Sequence, residues 1–255
     1  MKIARLLTFG LLFAASLVCL QADTSSRTIR LRSDAWMPFC GNPTDAQPGY
    51  VVELARVIFE AKGYALDYQL MPWTDALKAA AAGEIDGVIG ANREEAKQLV
   101  IALEPIGAPA VGLYLRKDNP WKFSDIGSLD SIRLGVSAGY SYWPELYAYI
   151  AKAPKVVSFE GATPLVDAIA KLDAGELDVV AESQPVWIWT IKKSGRVNKD
   201  YRNAFNRIGE PIYIAFSSKA PAECPKIFAE GLRELRANGK LAEILARYYQ
   251  QDWKQ

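Results

Sequence analysis

Four short runs place polar or aromatic side chains where an apolar strand ends: Ser33-Asp34-Ala35-Trp36, Gly90-Ala91-Asn92-Arg93, Ser137-Ala138-Gly139-Tyr140-Ser141 and Glu182-Ser183. Each has its own chemistry. Glu182 can supply a negative charge to a bound cation, and Arg93 can clamp a carboxylate or sit in a solvated turn with Glu94, Glu95 and Lys97. Ser33 and Asp34 can touch a ligand or cap the turn that follows them. Ser137, Gly139 and Ser141 lead into a helix start, where backbone N–H groups suit an anionic group. Trp36, Trp73, Tyr140, Tyr142 and Trp143 add flat faces that can sandwich an apolar or cationic ligand or simply fill a core.

What positions these runs is a stretch written twice. Asp75-Ala76-Leu77, five residues and Ala82-Gly83-Glu84-Ile85-Asp86 recur 92 residues later as Asp167-Ala168-Ile169, five residues and Ala174-Gly175-Glu176-Leu177-Asp178. Each copy passes from an apolar-periodic helix through a glycine at the helix stop into a short apolar strand, the joint expected of an α/β unit. Two such joints predict two similar lobes. Parallel sheets bind ligands beyond the carboxyl ends of their strands, so Gly90, Asn92 and Arg93 would face Glu182 and Ser183 across one cleft.

Strands are expected at 29–33, 66–70, 85–90, 111–116, 132–137, 155–159, 177–181 and 213–217, alternating with helices at 50–62, 73–82, 185–193, 225–237 and 241–250. Glu104-Pro105-Ile106-Gly107-Ala108-Pro109 and Ile208-Gly209-Glu210-Pro211 are too broken for regular structure and predict two crossings between the lobes. The expected organisation is a signal peptide over 1–22, a discontinuous first lobe of 23–108 plus 211–255, and a second lobe of 109–210. Twin crossings suit a hinge.

Residues 1–22 carry Lys2 and Arg5, a 15-residue apolar run from Leu6 to Leu20, and a small residue at Ala22. That fits export to the periplasm with cleavage after Ala22, and the run is short for a membrane span. Removing it leaves one more acidic than basic residue, with no basic stripe of the kind nucleic acid requires. The chain has no histidine, so no His-based triad is available, and the absence of closely spaced cysteines leaves no zinc or haem site. Cys40 and Cys224 would meet an oxidising compartment as a disulfide or as two separate buried thiols.

The chain resembles the extracellular solute-binding proteins of family 3, which serve amino-acid-type ABC importers with a type II periplasmic binding fold. The resemblance covers nearly the whole chain after residue 22. It is carried by Trp36-Met37-Pro38-Phe39, Gly49-Tyr50-Val51-Val52-Glu53-Leu54, Trp73, Gly83-Glu84-Ile85-Asp86, Gly139-Tyr140-Ser141 and Leu232-Arg233-Glu234-Leu235-Arg236-Ala237-Asn238-Gly239. It implies an aromatic ligand contact at Trp73, an arginine near Ala96 to clamp an α-carboxylate, and an aspartate at Ser183 to hold an α-amine. This chain departs from both charged anchors.

The expected function is therefore capture of a small polar solute, an amino acid, amine or related compound, by a monomer without cofactor that hands it to an ABC permease. The alternatives are a sensing or interaction protein that signals to a membrane receptor, and a dehydratase-type enzyme on the same scaffold.

Overall fold

The computed structural model describes residues 27–254 other than 139, 141 and 162. The expected signal peptide, Gly139 and Ser141 therefore lie outside the described residues.

The chain begins with β1 (Arg27–Ser33), α1 (Tyr50–Glu60), β2 (Tyr64–Leu70), α2 (Trp73–Ala82), β3 (Gly87–Ala91) and the short β4 (Val100–Ile101). It continues through β5 (Val111–Arg116), β6 (Leu134–Ser137), α3 (Pro144–Ile150), β7 (Val156–Phe159), α4 (Pro164–Asp173), β8 (Val179–Ser183), α5 (Gln184–Lys193) and β9 (Tyr201–Arg207). It ends with β10 (Tyr213–Phe216), α6 (Cys224–Ala237) and α7 (Lys240–Arg247). No helix among the described residues is long and apolar enough to cross a membrane.

Two five-stranded mixed sheets result, ordered β2-β1-β3-β10-β4 and β7-β6-β8-β5-β9. The orders match strand for strand. In each, three parallel strands are extended by an antiparallel strand that arrives through a crossing, β10 in the first sheet and β5 in the second. The two crossings run alongside each other, joined by Ala102 N–H to Ile214 O (3.0 Å), Ile106 N–H to Ile212 O (2.8 Å) and Ile212 N–H to Gly107 O (2.9 Å).

The repeated stretch builds the same joint twice. Gly83 and Gly175 take left-handed backbone (φ 77° and 70°), which glycine adopts at no steric cost, and so end the helical run before each strand. The repeated aspartate then faces an arginine on the neighbouring strand. Asp86 accepts from Arg30 N–H (2.8 Å), Nε (3.0 Å) and Nη2 (3.1 Å), and Asp178 accepts from Arg133 N–H (2.8 Å), Nε (2.9 Å) and Nη2 (2.8 Å). The two aspartates lie just before the amino ends of β3 and β8, so the repeat is architectural and the opposite ends of those strands are left for function.

The apolar stripe of α1 (Val51, Val52, Leu54, Ala55, Ile58, Phe59) is buried with Ile29 and Leu31 of β1 and with Phe228 and Leu232 of α6. Leu113, Leu134, Val136 and Val179 pack with Trp143 and Leu146 in the second sheet, which assigns Trp143 to a core. Sequence patterning missed β9, because Tyr201-Arg-Asn-Ala-Phe-Asn-Arg alternates poorly and is half-exposed as an edge.

The disulfide alternative is overturned: Cys40 and Cys224 are both free and buried. Cys40 follows the carboxyl end of β1, beside Ser33 and Tyr68, whereas Cys224 opens α6 near Glu223, whose partner Tyr64 pairs with Arg27 at the other end of that strand. A strand of seven residues, roughly 20 Å, separates the two ends, far beyond disulfide reach.

Candidate functional site

The carboxyl ends of β1, β3, β6 and β8 bring together most of the residues singled out by their position. Ser33 ends β1 fully buried, its hydroxyl shared with Tyr68 Oη at 2.8 Å and donated to Asp34 O at 2.9 Å. Its contribution is to fix the turn that presents Asp34. The Asp34 carboxyl is raised above the ordinary aspartate range by burial and by the nearby charge of Glu95, although the residue keeps solvent-accessible surface. Trp36 stacks on Phe39 at 4.2 Å and covers Gly90, whose φ of 106° lets the backbone turn beneath the ring.

The turn after β3 is built by one residue whose role was missed in the sequence. Glu95 accepts from Trp73 Nε1 (3.1 Å) and from Asn92 N–H (3.0 Å), while its own N–H donates to Asn92 Oδ1 (2.9 Å). The reciprocal Asn92-x-x-Glu95 bonding has the form of a capping box, and that spacing was the available signal. Arg93 takes another course, donating from Nη2 to Tyr213 Oη (3.2 Å) with its guanidinium 5.1 Å from that ring centre. Ala96, where the resemblance places an arginine, is buried.

Across from these, Glu182 is 1% exposed at the end of β8. Its Oε1 accepts from Ser183 N–H (2.7 Å) and its Oε2 from the Ser137 hydroxyl (3.3 Å). Burial pushes its carboxyl up to about 7, and these hydrogen bonds only partly oppose that. No lysine or arginine pairs with it among the described residues. The Ser183 hydroxyl is buried without a well-formed hydrogen bond, close enough to Glu182 to help hold its charge. Ser137 N–H donates to Tyr142 Oη (2.9 Å), which ties a second tyrosine to the same wall.

Tyr140 links the two groups. Burial raises its hydroxyl most, and the charges of Glu182 and then of Asp34 raise it further. The seam between the two sheets thus carries Asp34, Trp36, Trp73 and Glu95 on the first and Ser137, Glu182 and Ser183 on the second, with the Tyr140 hydroxyl in electrostatic reach of both Asp34 and Glu182. Two cavities among the described residues, of about 180 and 340 Å³, lie away from this seam.

Paired mixed sheets with a polar seam at their carboxyl ends define a periplasmic binding protein-like II fold. The chain belongs to the bacterial extracellular solute-binding proteins, family 3, whose profile matches residues 30–251. The solved structure of an ancestral arginine-binding protein bound to arginine is 21% identical, with TM-score 0.66, covering 87% of this chain and 98% of that one. A histidine kinase sensor domain similar to periplasmic binding proteins is 22% identical, with TM-score 0.65 and coverage of 87% and 96%. The ancestral amino-acid-binding protein AncCDT-1, a precursor of cyclohexadienyl dehydratase, is 19% identical, with TM-score 0.66 and coverage of 88% and 95%. No curated protein matches. The family gives this chain a solute-binding role.

Proposed function

We propose that the protein captures a small organic cation, an amine rather than an α-amino acid, in the seam between its two lobes and delivers it to an ABC-type importer from the periplasm. The observation that carries this is the charge balance of the seam. Asp34 and Glu182 face it without a basic partner among the described residues, Glu95 lies beside Asp34, and the one nearby guanidinium, Arg93, is turned onto Tyr213. An α-carboxylate would meet like charge, whereas an ammonium would meet carboxylates and the faces of Trp36 and Trp73. Lobe closure follows from contacts that need both walls at once, Asp34 and Trp36 with Glu182, Ser137 and Ser183.

Calorimetric titration with diamines, quaternary amines and neutral and basic amino acids tests this. Saturable binding of an amine, with zwitterionic amino acids weaker by tenfold or more, is the expected pattern. A preference for a zwitterion would remove the charge argument. A second reading, an interaction module that signals to a membrane receptor without small solute, draws on the absence of a charged anchor at Ala96 and Ser183. Absence of binding across the panel together with retention of a membrane partner would favour it. An enzyme is the weakest reading: Glu182 is hydrogen-bonded only by the Ser137 hydroxyl and the Ser183 N–H, and burial holds the hydroxyls of Tyr114, Tyr140 and Tyr142 around it far above the range where they could exchange protons near neutral pH.

A further inference from the structure

Glu95 is exposed on the turn after β3, and two N–H donors from separate parts of the chain converge on its carboxylate. Oε1 accepts from Trp73 Nε1 at 3.1 Å, across 22 residues of sequence, and Oε2 accepts from the Asn92 N–H at 3.0 Å. The requirement is specific. A carboxylate accepts at both oxygens, whereas a carboxamide at this position would turn its NH2 group toward one of the two donors. Glutamine serves an ordinary capping box as glutamate does, so it is the second donor, the indole N–H, that calls for an acid here.

The same bond settles the ring. Trp73 opens α2 behind Pro72, with no side-chain cap at that end of the helix, and packs half-buried against the cluster that includes Ala76, Ala91 and Ala96. Apolar packing is non-directional, so the hydrogen bond at the ring edge sets the orientation of the indole. Nothing nearby cancels the charge: Lys97 pairs with Glu94, Arg93 is held on Tyr213, and no lysine or arginine pairs with Glu95 among the described residues. The Glu95 charge reaches Asp34 on the turn after β1, which puts it at the first wall of the seam. Beside it stands the buried Ala96, where the resemblance implies an arginine, so this turn brings an acid to the seam in place of a base.

We infer that Glu95 sets the preference of the seam for a cation by acting through Trp73, fixing the indole by its N–H edge and leaving the ring face more negative toward the guest. The inference rests on the amine reading of the seam and makes Glu95 a positioning residue, with no contact to the solute. A hydrogen bond from the indole N–H to an anion pushes electron density into the ring, and the attraction of a cation grows with the negative charge of the face.

The experiment is calorimetric titration of the intact protein with choline and with dimethylbutanol, the isostere in which carbon replaces the charged nitrogen. Choline should bind tighter than the alcohol in the parent, and Glu95→Gln should lower the ratio of the two affinities by about fivefold. The ratio is the informative quantity, since a Trp73 that had merely come loose would weaken both probes alike. Trp73→Phe keeps a ring without the N–H, so in that background Glu95→Gln should change the ratio by no more than about twofold. Choline no tighter than the alcohol in the parent, a ratio that Glu95→Gln leaves within about twofold of the parent, or an equal effect with and without the indole N–H would overturn the inference. Amines that bind the parent while that ratio stays unmoved would sink the role of Glu95 alone, whereas a parent that binds no amine would end the seam reading as well.

Discussion

Glu182 concentrates the residue-scale physics of this protein. A carboxyl with burial of this depth and no basic partner costs folding free energy when ionised, and a bound ammonium would remove that cost. Glu182→Gln is accordingly expected to weaken an amine ligand by at least tenfold in calorimetry, and an affinity within a factor of about two of the parent would show that the charge makes no contact. Proton competition gives a second test. With the carboxyl at about 7, amine affinity should fall as pH drops below 7, approaching tenfold per unit, and Glu182→Gln should flatten the dependence. Stability moves the other way. Between the ordinary value of 4.5 and about 7 the folded chain keeps a proton at Glu182 that the unfolded chain has released, so rising pH lowers stability through that window, by ~3 kcal/mol at most. Chemical denaturation at pH 5 and pH 8 should show that loss in the ligand-free parent and a smaller one in Glu182→Gln. Position alone marked Glu182 in the sequence, because it ends an apolar strand. Its lack of a partner was illegible there, since what surrounds a side chain is decided by distant segments.

Among the elements, the repeated helix-to-strand joint and the edge strand teach opposite lessons. The joint was legible because helix period, stop glycine and strand run are all local, and the structure adds why its aspartate recurs: Asp86 and Asp178 each lock the strand beside them through an arginine fork. The Asp86 side chain is only 13% exposed, and Asp86→Asn should cost about 1 kcal/mol in urea denaturation while leaving ligand affinity at the far end of the strands unchanged. A loss of affinity equal to the loss of stability would mean that the joint reaches the seam. Asp178 carries a pH signature. Its Arg133 fork holds its carboxyl below the usual aspartate range, so its contribution is in place above the unfolded value of 3.8 and disappears as pH falls through the lowered one. Strand β9 was illegible because an edge strand needs no alternation, and only the fold shows Asn203 Oδ1 accepting from Leu113 N–H of the neighbouring strand.

For the whole molecule, the chain end fastens the two sheets' helices together. Trp189 of α5 stacks with Tyr248 at 5.6 Å, Lys193 Nζ donates to Gln47 Oε1 at 2.7 Å, and Gln250 Nε2 reaches Pro185 O at 3.5 Å. Because α5 starts directly after Glu182 and Ser183, this clasp acts on the element that leaves the seam. An aromatic pair is worth about 0.5–1.5 kcal/mol, enough to move an open–closed balance up to roughly tenfold. Small-angle scattering of Trp189→Ala without ligand should therefore give a radius of gyration different from the parent, and superimposable curves would separate the clasp from lobe motion.

Periodicity and breakers, which are properties of neighbouring residues, determined by themselves that this chain is an α/β protein of two similar lobes with twin crossings, and that its chemistry gathers at the strand ends. Pairings between residues far apart in the chain were left to the tertiary structure. It alone decided that Cys40 and Cys224 stand apart at opposite ends of one sheet, that Arg93 spends its charge on Tyr213, and that Glu182 has no counter-ion among the described residues. The physical reason is range. Backbone preference and apolar period act within a few residues, whereas burial and charge pairing depend on which segments the sheets bring side by side.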